Sequence, residues 1–319
     1  MSRVNSSKGP ATLPRMAEHA NDKTLAAPRY WPQWLWWMLL WLLARIPMPI
    51  ALWLGRRLGD LLYLLAGSRR RTAERNLAIC FPEKGVAERR RLLREHFRSL
   101  GMGLMETLKA WFVDLKAYDW RGEVEGMEHL TAARDAGTPV LLVAGHFTTL
   151  EFAGKFITRE VSPAVVYRKH STPVFERQLK RRRLRYLSDT IERHDLRAAV
   201  RFLRQGGILW YAPDQDFGAR NAVFAPFFER PAATITALSR LARLGQAVVL
   251  PINQQRLPGG RYRVTIGAPW RDFPSGDDLA DATRYNQTLE QWIRQSPADY
   301  LWVHRRFKTT PPGHAPAYD

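Results

Sequence analysis

Pro139-Val-Leu-Leu-Val-Ala-Gly-His-Phe-Thr-Thr-Leu-Glu151 is the stretch on which the fold assignment turns. Residues 140–144 are an apolar run of the length of a buried strand. Gly145 permits a sharp turn, His146 stands at that turn, and a helix carrying Glu151 follows. Strand, turn and helix in this order belong to an open α/β sheet, which places its ligands at the carboxyl edge of the strands. His146 is then a candidate base. Glu151 is a candidate orienting carboxylate, able to hold the imidazole by its other nitrogen and fix the tautomer. Five residues amount to about 500° around an ideal helix, so the contact requires His146 to precede the first turn and point back. Alone, a His-x4-Glu pair is a weak signal, and a satisfied buried histidine is its ordinary reading.

Working outward, short apolar runs at 164–167, 208–212, 247–252 and 262–266 read as further strands. Periodic segments at 87–112, 150–157, 173–186, 196–204, 233–244 and 277–295 read as helices. The alternation predicts an α/β class, with a mostly parallel central sheet flanked by helices. Polar residues gather where those strands end: His146 after the first, Arg168 after the second, Asp214 and Asp216 after the third. Arg168 offers a bidentate fork to phosphate or carboxylate, although an isolated arginine is ordinarily a surface residue. The Asp214-Gln-Asp216-Phe-Gly turn has too few ligands to imply a divalent cation. It reads as a polar pair for sugar hydroxyls or for ordering Arg168, or as a turn in which Asp216 caps its own backbone.

No zinc site is expected, because the remaining histidines lack ligand spacing, and no cofactor is expected. Gly-x-Ser-x-Gly is absent, and the single cysteine, Cys80, has no histidine nearby in sequence. Thr148 and Thr149 lie beside His146, but nothing in the sequence favours a threonine nucleophile.

Charge narrows the environment. Lys and Arg total 49 against 30 Asp and Glu, a net +19 over 319 residues. Such an excess calls for a polyanionic neighbour. Half of the 12 tryptophans fall between Trp31 and Trp53, a clustering typical of the headgroup boundary of a bilayer. From Trp34 to Leu54 only Arg45 is charged, but Pro47 and Pro49 interrupt the run. A full crossing and an interfacial anchor are equally compatible with it. The arginines at 56, 57, 69, 70, 71 and 75 follow, and a basic flank there places the body of the protein on the cytoplasmic side. The expected layout is a disordered segment at 1–29, an N-terminal membrane-anchoring helical region at 30–67, an α/β domain at 68–310 and a tail at 311–319.

Several blocks then point to one family. His146-Phe-Thr-Thr-Leu-Glu151 resembles the His-x4-Asp/Glu signature shared by glycerolipid acyltransferases and the late acyltransferases of lipid A biosynthesis. Asn76-Leu-Ala-Ile-Cys-Phe-Pro-Glu83, Val166-Tyr-Arg168 and Tyr211-Ala-Pro-Asp-Gln-Asp-Phe-Gly218 resemble blocks of the lauroyl and myristoyl transferases of that pathway. So do Phe224-Ala-Pro-Phe-Phe228 and Tyr300-Leu-Trp-Val-His-Arg-Arg-Phe-Lys308. They occur in the family's order and cover roughly residues 30 to 310.

The resemblance implies a transfer of an acyl chain from an acyl carrier protein thioester at the cytoplasmic face of the bacterial inner membrane. The acceptor would be the 3-hydroxyl of an acyl chain on a phosphorylated, usually Kdo-bearing, lipid A precursor. It implies His146 as general base with Glu151 orienting it. Arg168, Asp214 and Asp216 would hold the acceptor or the thioester carbonyl, and no metal or nucleic acid is involved. One departure is Glu151, where the broader glycerolipid pattern has aspartate. Two other readings are compatible with the residues: acylation of another membrane glycolipid or lysophospholipid, and a non-catalytic basic protein that binds membranes or nucleic acid. The interleaving of basic residues with a complete α/β core argues against the last.

Overall fold

The computed structural model describes residues 25–318. Of the segment expected to lack structure, residues 1–24 lie outside the described residues. Residues 25–29 run into the first helix, with Leu25 buried. Four helices come first: α1 (Trp31–Leu43), α2 (Met48–Leu65), α3 (Gly67–Cys80) and α4 (Val86–Phe112). The α/β portion follows as β1 (Gly122–Glu125), α5 (Met127–Asp135), β2 (Val140–Val143), α6 (Leu150–Ala153), β3 (Ala164–Tyr167), α7 (Pro173–Arg183) and β4 (Asp189–Glu192). It continues with α8 (Leu196–Arg204), β5 (Ile208–Tyr211), β6 (Ala222–Phe227), β7 (Arg230–Ile235), α9 (Ala237–Gly245), β8 (Val248–Leu257), β9 (Arg261–Ile266) and α10 (Asp278–Gln295).

Seven strands form one sheet in the order β1-β9-β8-β2-β5-β3-β4, and β6 and β7 form a separate antiparallel hairpin. All neighbours in the large sheet are parallel except β8 and β9, so the expected mostly parallel sheet flanked by helices is present. Alternating strand residues feed two cores, one on each face. Leu141, Val143, Leu209 and Val249 pack with α8, α9 and α10. Leu142, Trp210 and Leu250 pack with Leu130, Phe152 and Phe156 on the other side.

Two expected elements differ. The helix foreseen at 233–244 is the end of β7 through Ile235, and α9 begins only at Ala237. The helix foreseen at 150–157 is one α turn followed by a 3-10 segment, Gly154–Arg159. The tail from 311 is not loose. Ala317 is buried and its carbonyl accepts from Arg75 Nε at 2.9 Å.

The anchor region also departs from a transmembrane helix. Among the described residues no helix is long and apolar enough to cross a membrane. With 13 residues, α1 is about 20 Å long at 1.5 Å per residue, short of the roughly 30 Å hydrocarbon core. The longer α2 carries Arg56, Arg57 and Asp60. What the chain builds instead is two successive helices that each pack on α4. Trp37, Leu40 and Ala44 face inward onto Met105, Leu108 and Phe112. Trp31, Leu35, Trp36, Met38, Trp41 and Trp53 remain exposed.

Close packing holds α2 to the body. Gly55 and Gly59 of α2 meet Gly101 of α4 so tightly that a Cβ on Gly101 would lie 2.0 Å from Gly55 O. Such small-residue crossings let helix backbones approach. Lys109 of α4 adds a polar tie, its Nζ donating to the carbonyls of Ala44 and Ile46 where α1 ends. Burial pushes that amine down to about 8. Gly101→Leu should therefore force the helices apart and cost about 1–3 kcal/mol or more, as overpacked contacts do. Chemical denaturation would read the loss, and an unchanged midpoint would show that the crossing is not a tight one.

Candidate active site

The site begins with strand register. β2 and β5 pair in parallel with Val143 opposite Tyr211. Each strand is followed by the same step of three residues, which brings His146 and Asp214 together. Asp214 receives His146 twice, the backbone N–H at Oδ2 (2.9 Å) and ring Nδ1 at Oδ1 (2.5 Å). Asp214 is 1% exposed, whereas the His146 side chain keeps 31% of its surface open. With Nδ1 committed, Nε2 is the nitrogen left for a ligand.

Electrostatics follow from this contact. Burial by itself would lower the imidazole, but the Asp214 charge and hydrogen bond outweigh it, and His146 ends above its ordinary value. Burial would raise Asp214; the His146 charge, its two hydrogen bonds and the nearby Arg306 hold the carboxyl at about 2. Burial and the Asp214 charge push the Tyr211, Tyr285 and Tyr300 phenols up. The carboxylate thus has neutral hydroxyls around it and the imidazole as its direct partner.

Glu151 is not the orienting partner. Its carboxylate forms an ion pair with Arg183 of α7 and accepts from Trp111 Nε1 at 3.2 Å. The reason is the one its spacing raised: α6 starts at Leu150 and carries Glu151 away from the imidazole toward α7. Gly145, for its part, does not adopt the left-handed backbone region; a Cβ there would strike Leu289 Cδ1 at 2.4 Å. Close packing rather than turn geometry asks for glycine.

Asp216 bonds to the chain itself. Its oxygens accept from Gly218 N (2.8 Å), Thr309 N (2.6 Å) and Thr309 Oγ1 (2.8 Å). Its own N–H donates to His304 Nε2 at 3.1 Å. Burial lowers His304, which suits this acceptor role. Arg168 stands exposed at the rim of the cavity and meets no carboxylate among the described residues. The Lys180-Arg-Arg-Arg183 run divides: Arg183 turns inward to Glu151, while Arg182 lies over the Phe112 ring.

His146 opens onto a cavity of about 790 Å³, within the usual range for ligand sites. Its walls are mainly apolar, with Leu150, Val165, Leu179, Leu187, Trp210 and Leu241 among them. Arg168, Arg193, Arg220 and Arg240 supply positive charge at its edge. The cavity reaches both faces of the sheet because β3 and β5 pair only through Val165 and Trp210 and then separate, while β3 continues along β4 to Tyr167. No group of metal-ligating side chains occurs among the described residues.

A second polar cluster fixes the histidine loop from behind. Arg256 of β8 grips Glu106 of α4 through two bonds (2.7 and 2.8 Å) and Asp299 at 2.9 Å. Thr148 N–H donates to Asp299 O (2.8 Å), and Leu301 N–H donates to His146 O (3.0 Å). These partners were not evident from sequence, since they come from four distant segments.

Comparison with known proteins gives the same direction. The sequence model of the bacterial lipid A biosynthesis acyltransferase family matches residues 18–309. The chain belongs to that family. It is similar to the lipid A biosynthesis lauroyltransferase of Escherichia coli (strain K12), with 38% identity covering 91% of this chain and 95% of the other. The palmitoleoyltransferase of the same organism is 36% identical over 91% and 95%. Its myristoyltransferase is 28% identical over 93% of each chain. The protein is accordingly an acyltransferase.

The geometry makes a discriminating prediction. In an NMR titration the His146 imidazole should have its midpoint above 6.5. Asp214→Asn removes the charge that favours the imidazolium, leaves the burial, and should bring the midpoint below 6.5. Glu151→Gln should leave it in place. A midpoint that follows Glu151 instead would reverse the assignment.

Proposed function

We propose that this lipid A acyltransferase family member moves a fatty acyl chain from an acyl carrier protein thioester to a hydroxyl of an acyl chain on a phosphorylated lipid A precursor, with His146 as general base. The observation that carries this reading is the Nδ1–Asp214 contact of an imidazole opening onto an apolar cavity.

In this mechanism Nδ1–H donates to Asp214, so Nε2 is unprotonated and accepts the proton of the acceptor hydroxyl. The oxygen attacks the thioester carbonyl as that proton leaves. The tetrahedral intermediate collapses, the C–S bond breaks, and the departing sulfur takes the proton back from Nε2. Asp214 stabilises the transient imidazolium without being protonated itself. A secondary hydroxyl is a very weak acid, and a positioned base supplies roughly 10²–10⁴-fold. Arg168 at the rim is the proposed contact for an acceptor phosphate or carboxylate, as its planar fork suits both. Asp216 and Glu151 support the site through Thr309 and Arg183 rather than by touching substrate.

The exposed tryptophans and leucines of α1 and α2 are the proposed contact with the bilayer, as two interfacial helices and not a span. Arg45 lies 4.7 Å from the Trp41 ring, the kind of pairing that suits a headgroup boundary. In that arrangement the catalytic body stands on the cytoplasmic side of the inner membrane, where carrier-linked acyl groups are made.

Transfer would be followed by mass spectrometry of the acceptor lipid, using purified full-length protein and acyl carrier protein thioester. His146→Ala should abolish transfer in protein that still folds by circular dichroism, with a lowered unfolding midpoint because the buried Asp214 loses its ring partner. Asp214→Asn should lose on the order of 10²–10⁴-fold in kcat/KM. The wild-type rate should climb with pH through a midpoint above 6.5, because only the neutral imidazole is a base. Near-normal turnover by the alanine variant would remove His146 from the chemistry.

A further inference from the structure

Beside the mouth of the catalytic cavity lies a groove between α8 and α9, about 650 Å³ in volume. Leu196, Val200, Leu241 and Leu244 form its floor, and Arg197, Arg201, Arg204 and Arg240 form its rim. Arg197, Arg201 and Arg204 are spaced by four and three residues, so they share one face of α8, and all three are exposed. Like charges at that spacing repel each other, and Arg197 in the first turn opposes the helix dipole that Arg201 and Arg204 in the last turn suit. Among the described residues neither Arg197 nor Arg201 meets a carboxylate, and Asp195 is occupied as the N-cap of α8, accepting from Ala198 N at 2.9 Å. Leu244 of α9 is 44% exposed beside them.

The groove is continuous with the cavity that holds His146, since His194, Asp195, Leu196, Arg240 and Leu241 line both. It is also separate from the tryptophan-rich helix α1. The helices α8 and α9 rest on the core built on Leu209 and Val249, while α1 packs in a different cluster on Met105 and Phe112. A basic rim over an apolar floor, away from α1 and open to the reacting base, fits an acidic protein that hands in a tethered group.

We infer that the α8–α9 groove is the docking surface for the acidic carrier protein that bears the acyl thioester, with Arg197 and Arg201 pairing to its carboxylates and Leu244 covered by its apolar residues. The inference rests on the proposed carrier-linked donor. Opposite charge across such a surface governs association rate and salt sensitivity more than chemistry does.

The test uses full-length R197E/R201E protein, whose substituted positions are exposed and outside the catalytic cavity. Two measurements are made: binding of dodecanoyl-acyl carrier protein by surface plasmon resonance, and turnover of that donor against dodecanoyl-pantetheine. Binding should weaken at least tenfold, and added salt should weaken the wild type far more than the variant. KM for the carrier-linked donor should rise at least tenfold with kcat within twofold, while dodecanoyl-pantetheine is used as well as by the wild type. Unchanged carrier binding in the variant would overturn the proposal, as would no carrier binding by the wild type. A variant that loses binding to anionic phosphatidylglycerol vesicles while keeping carrier binding would assign the groove to lipid and overturn it too. Carrier binding that depends on the two arginines, with no turnover of either thioester, supports the docking surface and sinks the proposed donor instead.

Discussion

A parallel pairing decides where the chemistry-bearing residues go. Because β2 and β5 run side by side with Val143 level with Tyr211, equal lengths of chain beyond them deliver an imidazole and a carboxylate to one point. Asp214 is nearly inaccessible, and an uncompensated charge there would be costly. The backbone N–H and the ring of His146 supply the compensation, so the pair fixes the loop as much as the loop fixes the pair. Antiparallel pairing, or a register shifted by one residue, would carry the carboxylate elsewhere. The proposed base therefore depends on the sheet topology, not on the local sequence around it.

The opposite side of the loop explains how such a short connection stays in place. Arg256 is nearly buried yet shares itself between Glu106 and Asp299, with Ser99 Oγ also accepting at 2.9 Å. Buried ion clusters of this kind contribute little net stability against their desolvation cost, and are better justified by the positions they impose. Here they tie α4, β8 and the segment around Asp299 to Thr148 and, through Leu301, to His146 itself. His96 joins the same clamp, bonded through Nδ1 to Ala298 O at 3.0 Å and driven by burial to about 4, hence neutral. The imidazole is held between two polar anchors, one on each side of its loop.

How much of this could be read beforehand depends on whether the signal is local. Each of the five apolar runs expected as strands became one: β2 and β5 are continuous and buried on both faces, while β9 alternates. β1 and β4, Gly122–Glu125 and Asp189–Glu192, carry two or three polar residues in four and sit at the sheet edges, where neither burial nor propensity marks them. β6 and β7 contain Pro226 and Pro231, which argue against strands unless the pairing is a lone hairpin. The partner of His146 was misjudged for a related reason. Glu151 is near in sequence, and Asp214 is near only once strand order is known. Asp214 is legible as a polar residue at the end of its strand, whereas the adjacency of β2 and β5 is not.

The opening between β3 and β5 then acquires a physical reason. The proposed transfer needs the acceptor oxygen and the thioester carbonyl carbon beside one nitrogen while two long chains leave in different directions. An unbroken sheet would force both chains onto one face. Here the last bonds between β3 and β5 are at Val165 and Trp210, so residues of opposite pleat, Trp210 and Tyr211, line one continuous space. Gly154 permits the Trp210 ring to lie close against it in the wall of that space, since a Cβ there would lie 2.7 Å from Trp210 Cη2. Relatives named for lauroyl and palmitoleoyl transfer are nearly equally similar to this chain, at 38% and 36% identity. Overall similarity therefore does not sort chain length; in the proposed mechanism, that choice falls to the few side chains where the space ends.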